Sequence, residues 1–277
     1  YTTKVNFTFE SRNVSYCKNL TYSGETYYLM NNTATTGTCI NIIADNITLD
    51  GQGFNINGTN VGNGVSVNGR LNITIKNLNI SNFGVGINFA GANNGTIYNN
   101  TIKGVNWGVY LNGSIGSNIL SNKIFTNGTS KNYGIYLFNS SFGNINLNNI
   151  STNGVRYNYG IYFINSSFGS INLNNISTSG TSASGGNNYG ISLSSSSSNN
   201  LILNTISTNG KSFSNEGIHL ESLSSSNNIT SNTISTNGTA NNDGISLLSS
   251  SSNNINLNNI SASGTSESNI GIYLGIS

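Results

Sequence analysis

The chain has 277 residues, of which 6% are charged, and it contains 33 Gly, no Pro, two Cys, one His and one Met; about a fifth of it is Asn, far above ordinary usage. The net charge of +2 cannot supply the row of phosphate contacts that nucleic-acid binding needs, and no apolar run reaches the roughly 18 residues of a membrane span. One His and one Met leave few ligands for a transition-metal site, so we expect none.

Residues 1–38 differ from the rest of the chain and are predicted to form an N-terminal arm and cap. The stretch KVNFTFE at 4–10 alternates polar and apolar side chains, which is the period of a strand. Its apolar members Val5, Phe7 and Phe9 are candidates to contact a second subunit by adding a strand to an open sheet edge.

The two cysteines, Cys17 and Cys39, bracket this cap. Two Cys in an otherwise Cys-free chain suggest a disulfide that closes a loop of about 20 residues. The alternative is a pair of small buried apolar side chains.

Residues 39–277 are predicted to be a repeat array. Each copy begins at a Gly, and in six copies the Ile that opens the last strand follows that Gly by 16 residues, whereas the distance from that Ile to the next Gly varies. The copies begin at Gly64, Gly86, Gly108, Gly134, Gly160, Gly190, Gly217, Gly244 and Gly271.

Inside the constant part of each copy, apolar residues alternate with Tyr, Asn and Ser, as at Ile135, Leu137, Ile145 and Leu147. This is the period of short strands with one buried face. Three such strands in each copy describe one turn of a parallel β-helix, whose turns bury their inner faces by stacking. The predicted fold class is therefore all-β: a single-stranded right-handed parallel β-helix of about ten turns with an N-terminal cap.

An Asn recurs two residues before the strand-opening Ile in the seven copies that begin at Gly86 to Gly244. Asn tolerates the left-handed conformation of a sharp corner, and its amide can bond to the Asn of the next turn. We interpret the column as a structural Asn ladder, with ligand binding as the alternative. Its members are Asn100, Asn122, Asn148, Asn174, Asn204, Asn232 and Asn258.

The stretch NITLDGQGFNI at 46–56, with later segments such as NYGIYL at 132–137 and INLNNIS at 145–151, resembles the right-handed parallel β-helix repeats of NosD-like proteins. Similar repeats occur in secreted and surface proteins of archaea. The resemblance covers residues 39–277 and implies the fold. It does not select a function, because lyases, epimerases, copper-maturation proteins and adhesins share these repeats.

Few groups in the chain can do chemistry, since no Asp or Glu occurs between Gly51 and Asn215. One cluster remains: Glu216 and Asp243 precede the Gly of successive copies, and we expect His219 and Glu221 to point outward on the adjoining strand. Two stacked carboxylates beside a His could hold Ca²⁺ or perform acid–base work. We interpret the cluster as a solvated charged patch, with Ca²⁺ binding and catalysis as the alternatives, and no other cofactor is expected.

The outward position of the first strand carries Tyr110, Tyr136 and Tyr162 in three successive copies. Stacked Tyr rings with polar tips suit sugars or a partner protein, although they also stabilise neighbouring strands. Sequons for N-glycosylation are frequent and permit modification outside the cell. They include Asn6, Asn72, Asn139, Asn165, Asn228 and Asn259.

The last copy stops at Ser277 after its first strand. Either the chain is cut from a longer protein, or the open turn is a template that the next subunit covers. The first functional hypothesis is therefore a non-enzymatic, secreted structural or adhesive protein of a cell surface, which assembles head to tail into a filament. The alternative is a carbohydrate-binding or carbohydrate-active β-helix that acts on surface glycans. A NosD-like metal-maturation role is a third hypothesis, which the single His and Met disfavour.

Overall fold

The structure, a computed structural model, describes residues 12–182, 185–211, 214–239, 241–265 and 268–275. Over these ranges the chain forms strands and turns and no helix, so none of them contains a helix long and apolar enough to cross a membrane.

Three parallel sheets surround one apolar core, and consecutive strands of the chain pass from one sheet to the next. We number the sheets by their order within a repeat. Sheet 1 consists of Asn19–Leu20, Ile40–Ile42, Asn63–Asn68, Val85–Ala90, Trp107–Asn112, Asn132–Phe138, Asn158–Ile164, Asn187–Ser194, Ser214–Glu221, Ile245–Leu248 and Ile272–Gly275.

Sheets 2 and 3 have shorter strands on average, and in every sheet a strand pairs in parallel with those of the preceding and following turns. Sheet 2 consists of Asn13–Val14, Thr26–Leu29, Thr48–Asp50, Thr74–Lys76, Thr96–Tyr98, Asn118–Leu120, Asn144–Asn146, Ser170–Asn172, Asn200–Ile202, Asn228–Thr230 and Asn254–Asn256. Sheet 3 consists of Thr33–Ala34, Asn55–Asn57, Asn79–Ser81, Thr101–Val105, Lys123–Thr126, Asn149–Thr152, Asn175–Thr178, Thr205–Thr208, Thr233–Gly238 and Asn259–Gly264.

The core consists of the inward side chains of all three sheets. In one turn, Ile135 and Leu137 of sheet 1, Ile145 of sheet 2 and Ile150 of sheet 3 are fully buried. Burying each such side chain stabilises the fold by about 1.5 to 3 kcal/mol. Because Ile135 pairs in register with Ile161 of the next turn, the apolar columns are continuous. The prediction of an all-β parallel β-helix of about ten turns is confirmed.

The predicted Asn ladder is present at the corner between sheets 2 and 3. The Nδ2 of Asn148 donates to Oδ1 of Asn174 at 3.0 Å, and Asn174 donates in the same way to Asn204 at 3.0 Å. Each Nδ2 also donates to a main-chain carbonyl of the preceding turn, as Asn174 does to Ile145 at 2.9 Å. The ladder thus satisfies polar groups that the corner removes from water.

One part of the ladder prediction is wrong, because the ladder Asn residues do not take the left-handed conformation. The residue before each of them does, and three of these are Leu147, Leu173 and Leu203, with φ of 58°, 55° and 57°. A non-Gly residue pays about 1 to 2 kcal/mol for this conformation. It reverses the chain direction so that the following Asn can point its amide inward.

Near the N-terminus, the strands between Asn13 and Ala34 already pair with the turns that follow them. The predicted disulfide is present: Cys17 and Cys39 are bonded, with Cα atoms 4.4 Å apart. The division into a cap (1–38) and repeats (39–277) stays a prediction. Outside the described residues lie Val5, Asn6, Phe7 and Phe9, so head-to-tail contact through the arm also stays a prediction.

Candidate active site

The outer face of sheet 1 carries two columns of functional side chains. They arise because Ile and Leu occupy the inward positions of each strand, which leaves the residues between them facing away from the core. The outer column that contains the predicted Tyr ladder runs through Tyr110, Tyr136, Tyr162, Ser192, His219, Ser246 and Tyr273. The second column precedes the repeat Gly and contains Trp107, Tyr133, Tyr159, Tyr189 and Glu216.

The Tyr ladder predicted from the sequence is a stack of rings. The ring centroids of Tyr110 and Tyr136 are 5.0 Å apart, and those of Tyr136 and Tyr162 are 5.4 Å apart. Burial raises the pKa of Tyr162 to about 12, so its hydroxyl stays protonated at neutral pH. Because each ring covers the face of the next, the stack presents ring edges and hydroxyls to a ligand.

The second aromatic column was not predicted, and it is the longer of the two. Its neighbouring rings are stacked nearly parallel. The ring centroids are 5.8 Å apart for Trp107 and Tyr133, 5.4 Å for Tyr133 and Tyr159, and 5.0 Å for Tyr159 and Tyr189. The sequence signal is the aromatic residue directly before the repeat Gly, the same position at which Glu216 aligns. Both columns lead along the rod toward the charged cluster.

The charged cluster begins where the aromatic column ends. The imidazole of His219 stacks on Tyr189 with centroids 4.4 Å apart. Its Nδ1 is 2.6 Å from Oε2 of Glu216, and its Nε2 is 3.5 Å from Oε2 of Glu221. The sequence places His219 on the outer face, as the structure does, but the expectation of a solvated His is wrong: its relative exposure is 3%, because Tyr189 and Glu216 cover it.

Protonation of the cluster follows from these contacts. Burial disfavours the imidazolium, but hydrogen bonds and charge attraction from Glu216 and Glu221 outweigh it and raise the pKa of His219 to about 9. The hydrogen bond from His219 in turn lowers the pKa of Glu221. At neutral pH the cluster therefore holds an imidazolium between two glutamates.

Asp243 lies one turn further along the rod, and the main-chain N–H of Gly217 donates to its carbonyl at 3.0 Å. Burial, reinforced by the negative charge of Glu216, raises the pKa of Asp243 to about 6. Glu216 and Asp243 border a cleft of about 390 Å³, and Oδ1 of Asp243 is buried there without a hydrogen-bond partner. Burial and the nearby charge of Glu216 thus allow the carboxyl group of Asp243 to exchange protons near neutral pH.

Within the ranges that the structure describes, no three His, Cys, Asp or Glu side chains are grouped so that they could hold a metal ion. Ca²⁺ binding by Glu216 and Asp243 stays a prediction, and further ligands would have to come from solvent or a bound sugar. Of the sequons predicted as glycosylation sites, four have exposed Asn side chains and Asn228 is half-buried. The exposed four are Asn72, Asn139, Asn165 and Asn259.

Titration of His219 gives a direct prediction. It is the only His of the chain, so its imidazole C–H signals in a proton NMR spectrum are unambiguous. We expect a midpoint near pH 9, compared with about 6.5 for an ordinary His. Because the folded-state pKa is raised, the stability that His219 contributes is complete below pH 6.5 and is lost as the pH rises through 9. A midpoint at or below pH 6.5 would show that Glu216 and Glu221 do not stabilise the imidazolium form of His219.

Residues 20–180 match a family described as right handed beta helix region, which agrees with the predicted winding. No significant sequence match is found among curated proteins.

Several solved structures share the fold. The Dettilon tailspike protein (gp208) superimposes with a TM-score of 0.63 at 16% identity over 93% of this chain and 60% of that one. A double mutant of the periplasmic alginate epimerase AlgG gives 0.52 at 15% identity over 92% and 67%. The A-module of the mannuronan C-5 epimerase AlgE4 from Azotobacter vinelandii gives 0.52 at 14% identity over 92% and 82%. The chain therefore spans 60% of the length of the tailspike chain.

These similarities correct one prediction. From the scarcity of acidic residues we predicted that the chain is not an enzyme, but two of the structures that share its fold are named as epimerases. The prediction rested on the middle turns, which contain no carboxylate, and took the one remaining cluster as a charged patch, whereas one local cluster is enough for acid–base chemistry.

Proposed function

Because this chain belongs to the right-handed β-helix family, we propose that it is a carbohydrate-active enzyme that works on the outer face of sheet 1. The named alginate and mannuronan epimerases support a carbohydrate substrate over the filament subunit that was the first hypothesis from the sequence. At these identities they support it through the fold alone, so the residues of this chain must carry the argument.

The observation that carries the proposal is the grouping of Glu216, His219, Glu221 and Asp243 at one end of the aromatic columns. Carboxyl groups in contrasting environments are how proteins supply both an acid and a base near neutral pH. Here the pKa of Asp243 is about 6, while Glu221, half-buried and hydrogen-bonded to His219, has a lowered pKa. At pH 6 Asp243 is therefore about half protonated while Glu221 stays ionised.

In this proposal Asp243 is the catalytic acid. Its protonated form donates the proton to the glycosidic oxygen of a sugar in the cleft as the bond from that oxygen to the anomeric carbon breaks. A water molecule adds to that carbon, and the proton that the water loses returns through solvent to the carboxylate of Asp243. His219 is a positioning residue: its imidazolium holds Glu216 at 2.6 Å and keeps that charge beside Asp243. The phenol hydroxyls and ring edges of the Tyr columns would contact the polymer beyond the reacting sugar.

A substrate screen tests the proposal. Purified protein is incubated with neutral and acidic polysaccharides, and cleavage is followed by new reducing ends, elimination by ultraviolet absorbance, and epimerisation by NMR. We expect one substrate to be converted, and Asp243→Asn to slow the reaction by about 10² to 10⁴, the usual contribution of a general acid. No conversion of any polysaccharide, or full activity of Asp243→Asn, would overturn it.

The matched control is Asp45→Asn. Asp45 uses Oδ1 to accept a hydrogen bond from the N–H of Leu71 at 3.0 Å, and an Asn side chain can still accept that bond. This variant removes the same charge far from the cluster, so it should keep wild-type activity.

We also propose that the protein works outside the cytoplasm. The Cys17–Cys39 disulfide is the kind of bond that forms and persists in oxidising compartments, and one protein of the same fold is named as periplasmic. Fractionation of the producing cells should recover the oxidised protein outside the cytoplasm. Recovery of the reduced form inside would contradict this.

A further inference from the structure

A second concave surface lies on the outer face of sheet 3, separated from the candidate active site by the loops that join sheet 3 to sheet 1. It has a volume of about 590 Å³. The side chains that matter below are Asn82, Lys103, Phe125, Asn127, Ser151 and Asn153. None of them belongs to the charged cluster or to the aromatic columns of sheet 1.

The concavity has two local causes. The loop between sheets 3 and 1 is the single residue Asn106 in one turn and residues 127–131 in the next, so the longer loop forms a wall beside the shorter one. In the shorter turn the strand pairing shifts register between Lys103 and Val105. This shift marks a β-bulge, which changes the direction of the neighbouring side chains. Gly104 permits it: its φ is +64°, and a Cβ there would lie 2.6 Å from Oδ1 of Asn82.

Lys103 gives the cleft an uncompensated positive charge. Its side chain is exposed, and no salt bridge among the described residues includes it. The sequence contains no Asp or Glu from residue 52 to residue 215 but seven Lys and Arg, so the adjoining turns offer no carboxylate partner. A ligand with an acidic group would supply the missing charge.

Phe125 gives the same cleft an aromatic face. Its neighbours in the outer column are Lys103 and Ser151, and its relative exposure is 41%. This differs from the Tyr stack of sheet 1, in which Tyr136 lies between the rings of Tyr110 and Tyr162. The face of Phe125 is therefore not covered by another ring of its column and can pack against the apolar face of a sugar.

We infer that this cleft is a second carbohydrate site and that it binds an acidic sugar. The carboxylate of the sugar pairs with Lys103, its ring lies on Phe125, and its hydroxyls bond to the exposed amides of Asn82, Asn127 and Asn153. The inference extends the proposed function by naming the ligand class of a separate site. It stands on residues that the proposed acid–base reaction does not use.

Calorimetric titration tests the inference with short oligomers of mannuronate, galacturonate and glucuronate and with their carboxyl-reduced, neutral forms. We expect at least one acidic oligomer to bind more tightly than its neutral form. Lys103→Gln should weaken that binding about 10-fold, as the loss of a charge-assisted hydrogen bond does, and should abolish the preference for the acidic form. Phe125→Ala should weaken binding of both forms.

Lys123→Gln is the matched control. Lys123 is exposed on sheet 3 in the next turn and does not border the cleft, so its loss changes the net charge equally. Binding by the wild type to none of the oligomers, or equal weakening by Lys123→Gln and Lys103→Gln, would overturn the inference. The Asp243→Asn variant separates the two sites, because it should lose turnover and keep binding in this cleft.

Discussion

Replacing Asn174 with alanine is expected to lower the free energy of unfolding by about 3 to 5 kcal/mol, since each buried polar group left without a partner costs about 1 to 3 kcal/mol. The main-chain N–H and the Nδ2 of Asn148 both donate to Oδ1 of Asn174, each at 3.0 Å. The carbonyl of Ile145 accepts from Nδ2 of Asn174 at 2.9 Å. One substitution thus removes three hydrogen bonds inside the rod. The N–H of Asn148 and the carbonyl of Ile145 lose these partners, whereas Nδ2 of Asn148 keeps its bond to the carbonyl of Ile119 at 2.8 Å.

Denaturant unfolding followed by circular dichroism measures this effect. The control is Asn175→Ala, which changes the adjacent residue of the same corner, whose side chain is exposed; it should change the stability by no more than about 0.5 kcal/mol. A loss below 1 kcal/mol for Asn174→Ala would show that the ladder is not a source of stability.

Replacing Gly160 with alanine is expected to destabilise the protein by about 3 kcal/mol, the upper part of the range for overpacking. A Cβ at this position would lie 2.3 Å from Cγ2 of Ile176 and 2.6 Å from the carbonyl oxygen of Gly190. The second contact is with the backbone of the next turn, so relief requires the turns to separate. Thermal and denaturant unfolding measure the loss.

Gly37 provides the control for this variant. No atom lies within 4 Å of the position that its Cβ would take, and its φ is not in the left-handed region. Gly37→Ala should be neutral or stabilise by up to about 1 kcal/mol, because alanine restricts the unfolded chain. Equal stabilities for the Gly160 and Gly37 variants would contradict the close approach of the turns.

The sequence predicts the fold well because every turn buries apolar side chains at the same positions of its repeat. The 16-residue spacing from Gly134 to Ile150 holds the alternation that buries Ile135 and Ile145, so counting residues is enough to place all three sheets. The repeat Gly is visible in the sequence, but the reason why only Gly fits at that position is not. It is required by contacts with the next turn and with sheet 3, as at Gly160, and such contacts appear only once the turns are stacked.

The candidate site is predicted less completely, because its properties depend on neighbours in other turns. Alignment of the repeats places Glu216 and Asp243 together, and the structure agrees. Burial of His219 could not be read from its own strand alone, since it results from the ring of Tyr189 in the preceding turn as well as from Glu216. Likewise, the corner conformation was assigned to Asn148 although Leu147 adopts it, because residue preference alone favours Asn.

The proposed function requires that carbohydrate binds beside His219. Proton NMR of the Asp243→Asn variant, titrated with oligosaccharides of the polysaccharide that the wild type converts, tests it most directly, because His219 is the only His and substrate is not consumed. We predict that the imidazole signals shift and saturate as the oligosaccharide is added. Oligosaccharide that binds and leaves these signals unchanged would place the carbohydrate elsewhere, for example in the cleft of sheet 3, and would contradict the claim.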